Sequence, residues 1–222
     1  MKIAMLGLGK MGGNMSARLI RNGISVVGYD NHPETVKKLE ASENLIPSSS
    51  VEDAVSKLEG QKIVWMMLPA GDITKKQIAD LIPLLGEGDI IIDGGNSNFK
   101  QSVKMGRMLE EYNIGFMDCG TSGGVWGLDN GYCLMVGASH EVAKAVEPAL
   151  RALAPTPQKG WLHVGPVGSG HFTKMIHNGI EYGMMESVAE GLELLKGREE
   201  FAIDVAKVTE LWRHGSVVRS WL

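Results

Sequence analysis

Five polar or ionisable side chains recur at helical spacing in the last quarter of the sequence. They are Lys174, His177, Asn178, Glu181 and Tyr182, at offsets 0, 3, 4, 7 and 8. This spacing places them on one face of a helix, where an apolar core stripe is the usual finding. Lysine and glutamate side chains take up and release protons, so this face could carry acid–base chemistry. A solvated surface face is the alternative interpretation.

The residues around this polar face favour a site over a solvated surface. Gly168-Ser169-Gly170 precedes the face, and apolar residues occupy much of the remaining helix surface. These apolar residues are Met175, Ile176, Ile180, Met184 and Met185. A polar face on an otherwise apolar helix is typical of a buried or cleft-lining site.

Two glycine-rich segments follow consecutive apolar runs and could meet the polar face. One is Asp93-Gly94-Gly95-Asn96-Ser97. The other runs from Thr121 to Gly127 and contains Ser122, Gly123 and Gly124, whose backbone amides suit a carboxylate. Segments that follow parallel strands gather at one edge of the sheet, where α/β proteins bind ligands. Either segment could be only a glycine-rich loop, and their joint position favours function.

A glycine motif, Gly7-Leu8-Gly9-Lys10-Met11-Gly12, lies between the first apolar run and the first helical pattern. In a dinucleotide-binding turn, the first glycine permits the tight turn and the second lets the backbone approach the pyrophosphate. The third allows contact between helix and strand, and the helix N-terminus faces the phosphates. Asp30 ends the second apolar run, where a carboxylate can accept hydrogen bonds from both ribose hydroxyls. This order predicts dinucleotide binding, although an isolated Asp30 could be a turn residue.

Asp30 also indicates which dinucleotide is bound. A carboxylate repels a 2′-phosphate, and no arginine follows it in Asn31-His32-Pro33-Glu34. The pattern therefore favours NAD over NADP, although His32 could soften the discrimination. Further along, Leu68-Pro69-Ala70-Gly71 ends another strand at the same edge, and it is either part of the cofactor site or a turn.

Short apolar runs alternate with helical patterns through the first three-quarters of the chain, as in a parallel sheet with crossover helices. The apolar runs span 2–6, 24–29, 62–68, 89–93, 114–118 and 132–136, and the helical patterns include 11–22, 33–41, 75–85 and 100–112. Strands are expected to end by Trp161, before helices at about 168–195 and 201–213. The sequence predicts an α/β fold with a Rossmann-type, doubly wound, mostly parallel sheet over 1–164 and a helical segment over 165–222.

The composition of the 222-residue chain is that of an ordinary globular protein, with 44% hydrophobic and 22% charged residues. Its formal charge of -4 gives no reason to expect nucleic acid or an anionic membrane as partner. We find no apolar run of membrane-spanning length and no signal peptide, so we expect a cytoplasmic location. Cys119 and Cys133 are too few for a disulfide framework, and no metal-ligand spacing is evident.

Several motifs together resemble the decarboxylating 6-phosphogluconate dehydrogenases over residues 1–222. They are the glycine motif, DGGNS at 93–97, SGG at 122–124, GHFTKMIHNGIEY at 170–182 and WRHGSVVRS at 212–220. The lysine-to-tyrosine motif is highly specific, whereas the glycine motif occurs in many families. Thr121 and Trp126 around the serine resemble the short, often NAD-linked bacterial branch.

The resemblance implies a role for each matching residue. Lys174 would be the general base and later acid, and Glu181 the second acid. The substrate carboxylate would lie on Ser122, Gly123 and Gly124, the reacting hydroxyl on Asn178 and Lys174, the neighbouring hydroxyls on Asn96 and His177, and the phosphate on Tyr182 and Arg219. The cofactor would contact Gly7, Leu8, Gly9, Lys10, Met11, Gly12, Asp30, Leu68, Pro69, Ala70 and Asn96.

The implied reaction is oxidative decarboxylation of 6-phosphogluconate to ribulose 5-phosphate and carbon dioxide, with reduction of NAD or NADP and without a metal. One alternative is a 3-hydroxyisobutyrate-type dehydrogenase, which shares the fold, the Ser-Gly-Gly loop and the lysine. That family would neither need nor usually display the set His177, Glu181, Tyr182 and Arg219. A cofactor-binding fragment without activity is the other alternative.

The end of the sequence raises the last alternative, because members of the resembled family continue with more helices. Residues 165–222 are therefore expected to be an incomplete, truncated all-α C-terminal domain that binds substrate and mediates dimerisation. In that family the partner subunit completes the substrate site. A helix of about 28 residues, about 42 Å long, cannot bury its apolar sides with one companion. Either the chain is truncated, or two subunits pair as a homodimer or larger homo-oligomer.

Overall fold

The computed structural model describes residues 1–219, and their main element is one eight-stranded sheet. Ser220, the last residue of the 212–220 motif, lies outside the described residues. The strands are β1 Lys2–Leu6, β2 Ser25–Tyr29, β3 Ile46–Pro47, β4 Ile63–Met66, β5 Ile90–Asp93, β6 Gly115–Ser122, β7 Cys133–Gly137 and β8 Trp161–Gly165.

The spatial order of the strands is β3-β2-β1-β4-β5-β6-β7-β8. Neighbouring strands are parallel except β6 and β7, which are antiparallel. The chain starts in the middle of the sheet at β1, builds outward to β3, and then crosses to β4 and continues to the other edge. Open α/β sheets bind ligands beyond the carboxyl ends of the strands at such a switch point, here between β1 and β4.

Helices cover both faces of the sheet, as the fully buried apolar strands β4 and β5 require. They are α1 Lys10–Arg21, α2 Pro33–Glu43, α3 Val51–Ser56, α4 Asp72–Leu81, α5 Phe99–Glu110, α6 Gly127–Asn130, α7 His140–Leu153, α8 Ser169–Lys196 and α9 Val205–Trp212. Helices α1 and α7 contribute Met15, Leu19, Val146 and Leu150 to the core on one face. Helices α3, α4 and α5 supply the core on the opposite face.

The predicted fold class is confirmed: a Rossmann-type, mostly parallel sheet is followed by a helical segment. The prediction that strands end by Trp161 is wrong, because β8 begins there. This edge strand is only partly buried, so it lacks the apolar run that marks a central strand. The two-residue strand β3 was also missed, since it is too short to show any periodicity. The long helix is confirmed as α8, with 28 residues.

The chain divides into two compact units, Met1–Met175 and Ile176–Leu222. Helix α8 begins in the first unit and continues into the second. The domain boundary expected between residues 164 and 165 stays a prediction. Within residues 1–219, no helix combines the length and apolar character needed to cross a membrane. Cys119 and Cys133 are both free thiols.

The start of α8 is fixed to the sheet by a buried carboxylate on β6. The Asp118 oxygens accept hydrogen bonds from the backbone N–H groups of Gly168, at 2.6 Å, and His171, at 2.7 Å. Burial raises the pKa of the Asp118 carboxyl above its usual range, and the two N–H donors oppose that rise because they favour the carboxylate. The carboxylate thus satisfies donors that the first turn of a helix leaves without intrahelical partners.

We expect Asp118→Ala to lower the free energy of unfolding by about 2–3 kcal/mol, because two buried N–H donors lose a charged acceptor. Urea unfolding followed by circular dichroism measures the change. Asp80→Ala is the matched control: Asp80 forms a surface ion pair with Lys76, and its loss should cost no more than about 0.5 kcal/mol. Equal unfolding midpoints for the two variants would contradict the capping role.

Candidate active site

The glycine motif forms a tight turn between β1 and α1. Gly7 has a φ of +88°, and a Cβ added there would lie 2.5 Å from the carbonyl oxygen of Met67. A Cβ on Gly12 would overlap the carbonyl oxygen of Gly7, whereas a Cβ on Gly9 would meet nothing within 4 Å. Gly7 and Gly12 are therefore required by the turn and by the close packing of helix on strand. Gly9 is exposed at the start of α1 and leaves open space there.

Asp30 braces this turn with one carboxylate oxygen and its own loop with the other. One accepts a hydrogen bond from the Leu8 N–H at 2.7 Å, and the other accepts one from the His32 N–H at 2.8 Å. A carboxylate oxygen has two lone pairs, so each keeps acceptor capacity for a ribose hydroxyl. The side chain of Leu8 belongs to the core, whereas Lys10 is exposed and Met11 is half-buried.

Segments after β4 and β5 lie beside the glycine turn. A Cβ on Gly7 would lie 3.0 Å from Leu68 Cδ2, and a Cβ on Gly95 would lie 2.8 Å from the Leu68 carbonyl oxygen. Ala70 and Asn96 line one cleft of about 380 Å³, together with residues that include Thr74 and Asp93. The structure therefore groups the glycine turn, residues 68–70 and Asn96 at one edge of the sheet. Pro69 is exposed in this group.

The Ser-Gly-Gly segment begins inside a strand and not after it, which corrects the prediction for Thr121 and Ser122. Both residues end β6, where backbone pairing to β7 extends the strand beyond its apolar run. Gly123 and Gly124 follow with φ values of +131° and +52°, a conformation that side chains disfavour. Both glycines are exposed, so the turn presents backbone to solvent at the edge of the sheet.

Lys174 is only 9% exposed and packs directly on β6. A Cβ on Gly120 would overlap Lys174 Cβ, so only a glycine at this position lets the helix come so close. Side chains alternate along a strand, so Asp118, Gly120 and Ser122 share one face of β6. Asp118 holds the start of α8, Gly120 contacts Lys174, and Ser122 comes next along the strand. Lys174 and the Ser-Gly-Gly turn are therefore neighbours.

The other residues of the polar face belong to the second unit. Within it, His177 Nδ1 and Glu181 Oε2 are 3.5 Å apart, one helical turn from each other, and Asn178 is half-buried. Tyr182 is 66% exposed. Arg219 is exposed at the end of the described residues. Its backbone N–H donates to the Ser216 carbonyl at 3.4 Å. The substrate-binding roles of these residues stay predictions.

Sequence reasoning missed a buried polar group three residues before Lys174, His171. His171 Nδ1 lies 2.7 Å from Ser102 Oγ, and its Nε2 is buried without a hydrogen-bond partner among the described residues. Asp118, which caps the same helix, was also missed. The available signal was a charged residue inside an apolar run, which is rarely buried without partners. Among residues 1–219, no group of His, Cys, Asp or Glu side chains is arranged to hold a metal ion.

Two family models together match nearly the whole chain. Residues 2–165 match the NAD binding domain of 6-phosphogluconate dehydrogenase, and residues 170–222 match the 6-phosphogluconate dehydrogenase C-terminal domain. The chain belongs to the 6-phosphogluconate dehydrogenase family. The predicted resemblance is thereby confirmed, and the glycine turn lies in the NAD-binding domain of a family of oxidoreductases.

Individual relatives support this assignment. The chain is 44% identical over its full length to YqeC of Bacillus subtilis, which carries a provisional 6-phosphogluconate dehydrogenase name, and covers 73% of it. It is 40% identical over its full length to the NAD(+)-dependent, decarboxylating 6-phosphogluconate dehydrogenase of Haloferax volcanii, and covers 72% of that protein.

Solved structures show the same fold. Plasmodium falciparum 6-phosphogluconate dehydrogenase superposes with a TM-score of 0.86 at 28% identity, over 97% of this chain and 48% of that one. Mycobacterium tuberculosis 3-hydroxyisobutyrate dehydrogenase superposes with a TM-score of 0.82 at 24% identity, over 99% of this chain and 72% of that one. The second likeness shows the fold alone.

The two helix-start glycines make a paired test of this geometry. Gly12→Ala should lower the free energy of unfolding by about 3 kcal/mol, because its methyl group has no room against Gly7. Gly9→Ala should cost no more than about 1 kcal/mol, because its methyl group enters open space at the helix start. Thermal unfolding of both variants measures the difference. A Gly12→Ala variant as stable as Gly9→Ala would contradict the packing.

Proposed function

We propose that the chain catalyses oxidative decarboxylation of 6-phosphogluconate to ribulose 5-phosphate and carbon dioxide, with reduction of NAD. The observation that carries the proposal is Lys174, which is buried against Gly120 on the strand that ends in Ser122. This lysine stands in the 170–182 motif, and the chain is a member of the family. Two of its relatives are named as NAD(+)-dependent, decarboxylating enzymes.

The residues at the switch point fit NAD. The open space at Gly9, the exposed start of α1 and the braced turn at Gly7 suit a pyrophosphate, which accepts hydrogen bonds from N–H groups at a helix N-terminus. Asp30 keeps acceptor capacity for the ribose hydroxyls. Leu68, Pro69, Ala70 and Asn96 would line the nicotinamide end. The negative charge of Asp30 disfavours a 2′-phosphate, so NAD is proposed over NADP.

When bound, NAD accepts a hydride from the third carbon of the sugar acid. Lys174 accepts the proton of the hydroxyl on that carbon, which leaves a ketone β to the carboxylate. The protonated lysine then donates to the carbonyl oxygen as the carbon–carbon bond to the carboxylate breaks and carbon dioxide leaves. Glu181 protonates the first carbon of the resulting enediol while Lys174 takes back the proton it gave to the oxygen, which yields ribulose 5-phosphate. Protons and electrons balance without a further reactant.

The remaining polar residues would hold the substrate. Ser122, Gly123 and Gly124 offer a hydroxyl and exposed backbone to the carboxylate. Asn178 would orient the reacting hydroxyl, and Asn96 and His177 the neighbouring ones. Tyr182 and Arg219 would take the phosphate, because a guanidinium can contact two of its oxygens through its planar fork.

Assembly and location also stay proposals. Several apolar residues of the second unit are exposed, among them Ile180, Leu194, Phe201 and Leu211. Exposed apolar surface of this kind is typical of an interaction face. A homodimer or larger homo-oligomer formed through this segment would cover it, as expected from the sequence. The cytoplasmic location is likewise an expectation.

A 3-hydroxyisobutyrate-type dehydrogenase is the second candidate, because a protein of that name shares the fold over 99% of this chain. NADH formation from 6-phosphogluconate, unphosphorylated gluconate and 3-hydroxyisobutyrate separates the two. We expect kcat/KM for 6-phosphogluconate to exceed the other values at least about 100-fold, since a lost phosphate contact is worth several kcal/mol. Preference for 3-hydroxyisobutyrate would support the second candidate. NAD binding without turnover would support the inactive fragment.

Lys174→Ala should lower kcat for 6-phosphogluconate about 1,000-fold or more, because a positioned acid–base group contributes that much. Its NAD dissociation constant should change less than about twofold, since only the proton carrier is removed. Lys196→Ala is the matched control, as it removes an exposed lysine at the far end of the same helix. A kcat that falls equally in both variants, or in neither, would contradict the assignment.

Asp30→Asn should raise the ratio of kcat/KM with NADP to kcat/KM with NAD about tenfold, because it removes charge repulsion worth about 1.4 kcal/mol. Initial rates with each cofactor measure this ratio. Glu34→Gln, which removes an exposed acid in the first turn of α2, should leave the ratio unchanged. The same ratio in wild type and Asp30→Asn would refute the role of Asp30 in selectivity.

A further inference from the structure

One arginine on α1 binds four backbone carbonyl groups from distant parts of the chain. Arg18 Nε donates to the Leu153 oxygen at 2.9 Å, and Nη2 donates to the Ala154 oxygen at 2.7 Å. Its Nη1 donates to the oxygens of Leu128, at 3.0 Å, and Asp129, at 3.2 Å. All three guanidinium nitrogens are therefore used, and their acceptors lie 110 to 136 residues away along the chain.

These acceptors belong to the carboxyl-terminal ends of two helices. Leu128 and Asp129 lie in α6, and Leu153 and Ala154 close α7. Carbonyl groups at a helix end have no intrahelical donor, and a cation there is favourable. Helix α6 directly continues the turn that follows Ser122. We call residues 122–130, from Ser122 through α6, the carboxylate segment.

The carboxylate segment has a second support from α1 and a third from Tyr132, the residue before β7. Asn14, one turn before Arg18, donates from Nδ2 to the Val125 carbonyl at 3.5 Å. The buried ring of Tyr132 packs under the segment, because a Cβ on Gly127 would overlap it and a Cβ on Gly123 would lie 3.2 Å from its Cδ1. Burial also raises the pKa of the Tyr132 hydroxyl to about 12, so the ring is a neutral platform.

We infer that Arg18 is a positioning residue for substrate binding. It holds the carboxylate segment against α1. The inference rests on the proposed function, in which Ser122, Gly123 and Gly124 bind the substrate carboxylate. The start of α1 faces the proposed cofactor phosphates, and Arg18 in its second half fixes the segment beside it. This link sets the position of the proposed carboxylate site relative to α1, because Arg18 bonds directly to α6 at the end of the segment.

Arg18→Met tests the inference, since methionine fills a similar volume and donates no hydrogen bond. We expect KM for 6-phosphogluconate to rise at least tenfold while KM for NAD changes less than twofold. Arg21→Met is the matched control from the same helix: Arg21 donates its hydrogen bonds to Glu43, and its charge is attracted to Asp129 of the segment more weakly than to Glu43. Its two KM values should stay within twofold of wild type.

Gly127→Ala is an independent second variant, because its φ of −62° accepts alanine and only the overlap with Tyr132 displaces the segment. It should reproduce the selective rise in KM for 6-phosphogluconate. Unchanged KM values in Arg18→Met, or an equal rise in both KM values, would overturn the inference. An equal rise would mean that Arg18 supports the fold in general.

Amide hydrogen exchange tests the inference without an activity measurement, in a variant that keeps the positive charge. In Arg18→Lys, which keeps the charge but cannot reach four carbonyls, exchange should accelerate at least tenfold in residues 123–130 and remain unchanged in β1 and β4. Unchanged exchange in 123–130 would overturn the inference. If wild type fails to oxidise 6-phosphogluconate, the proposed function falls, and this exchange result alone decides whether Arg18 holds the segment.

Discussion

The buried carboxylate of Asp118 is the interaction on which the arrangement of the candidate site depends. It lies inside the sheet on β6 and accepts the N–H groups of Gly168 and His171, 50 and 53 residues further along the chain. An unpaired carboxylate in this position would be strongly unfavourable, and unpaired N–H groups at a buried helix start would be as well. The carboxylate and the two N–H groups satisfy each other, so the start of α8 has one position on the sheet.

That position requires glycine at three of the contacts around the start of α8. A Cβ on Gly137 would lie 2.5 Å from Asp118 Oδ1, and one on Gly170 would lie 2.5 Å from the Asp118 carbonyl oxygen. Gly120 makes the same room for Lys174. With the helix this close, Lys174 is buried on the strand face that continues to Ser122. Helix α1 supports α6, which follows Ser122 and the two glycines, through Arg18. In the proposed reaction, proton transfer by Lys174 and carboxylate binding at Ser122 would therefore both depend on β6.

Local patterns were enough to predict the fold class and the turn geometry, because backbone constraints act over a few residues. Gly7 and Gly12 have the conformation and the contact that their spacing predicts. The strand β8 escaped prediction because half-buried edge strands carry little periodicity. The partners of Asp118 and Arg18 could not be identified from sequence, since they lie at least 50 residues away. The charge of Asp118 inside an apolar run signals that it has partners but not which ones. The motif around Lys174 was found because its polar residues recur at helical spacing within one helix.

The carbon balance of the reaction tests most directly whether this arrangement of lysine, strand and turn serves a decarboxylating oxidation. The chain is supplied with NAD and with 6-phosphogluconate that carries ¹³C at the carboxylate carbon, and labelled carbon dioxide is counted against NADH. We predict equal amounts of the two products, because oxidation of the third carbon commits the keto acid to lose its carboxylate. NADH formed while the label stays in a keto acid would contradict the account.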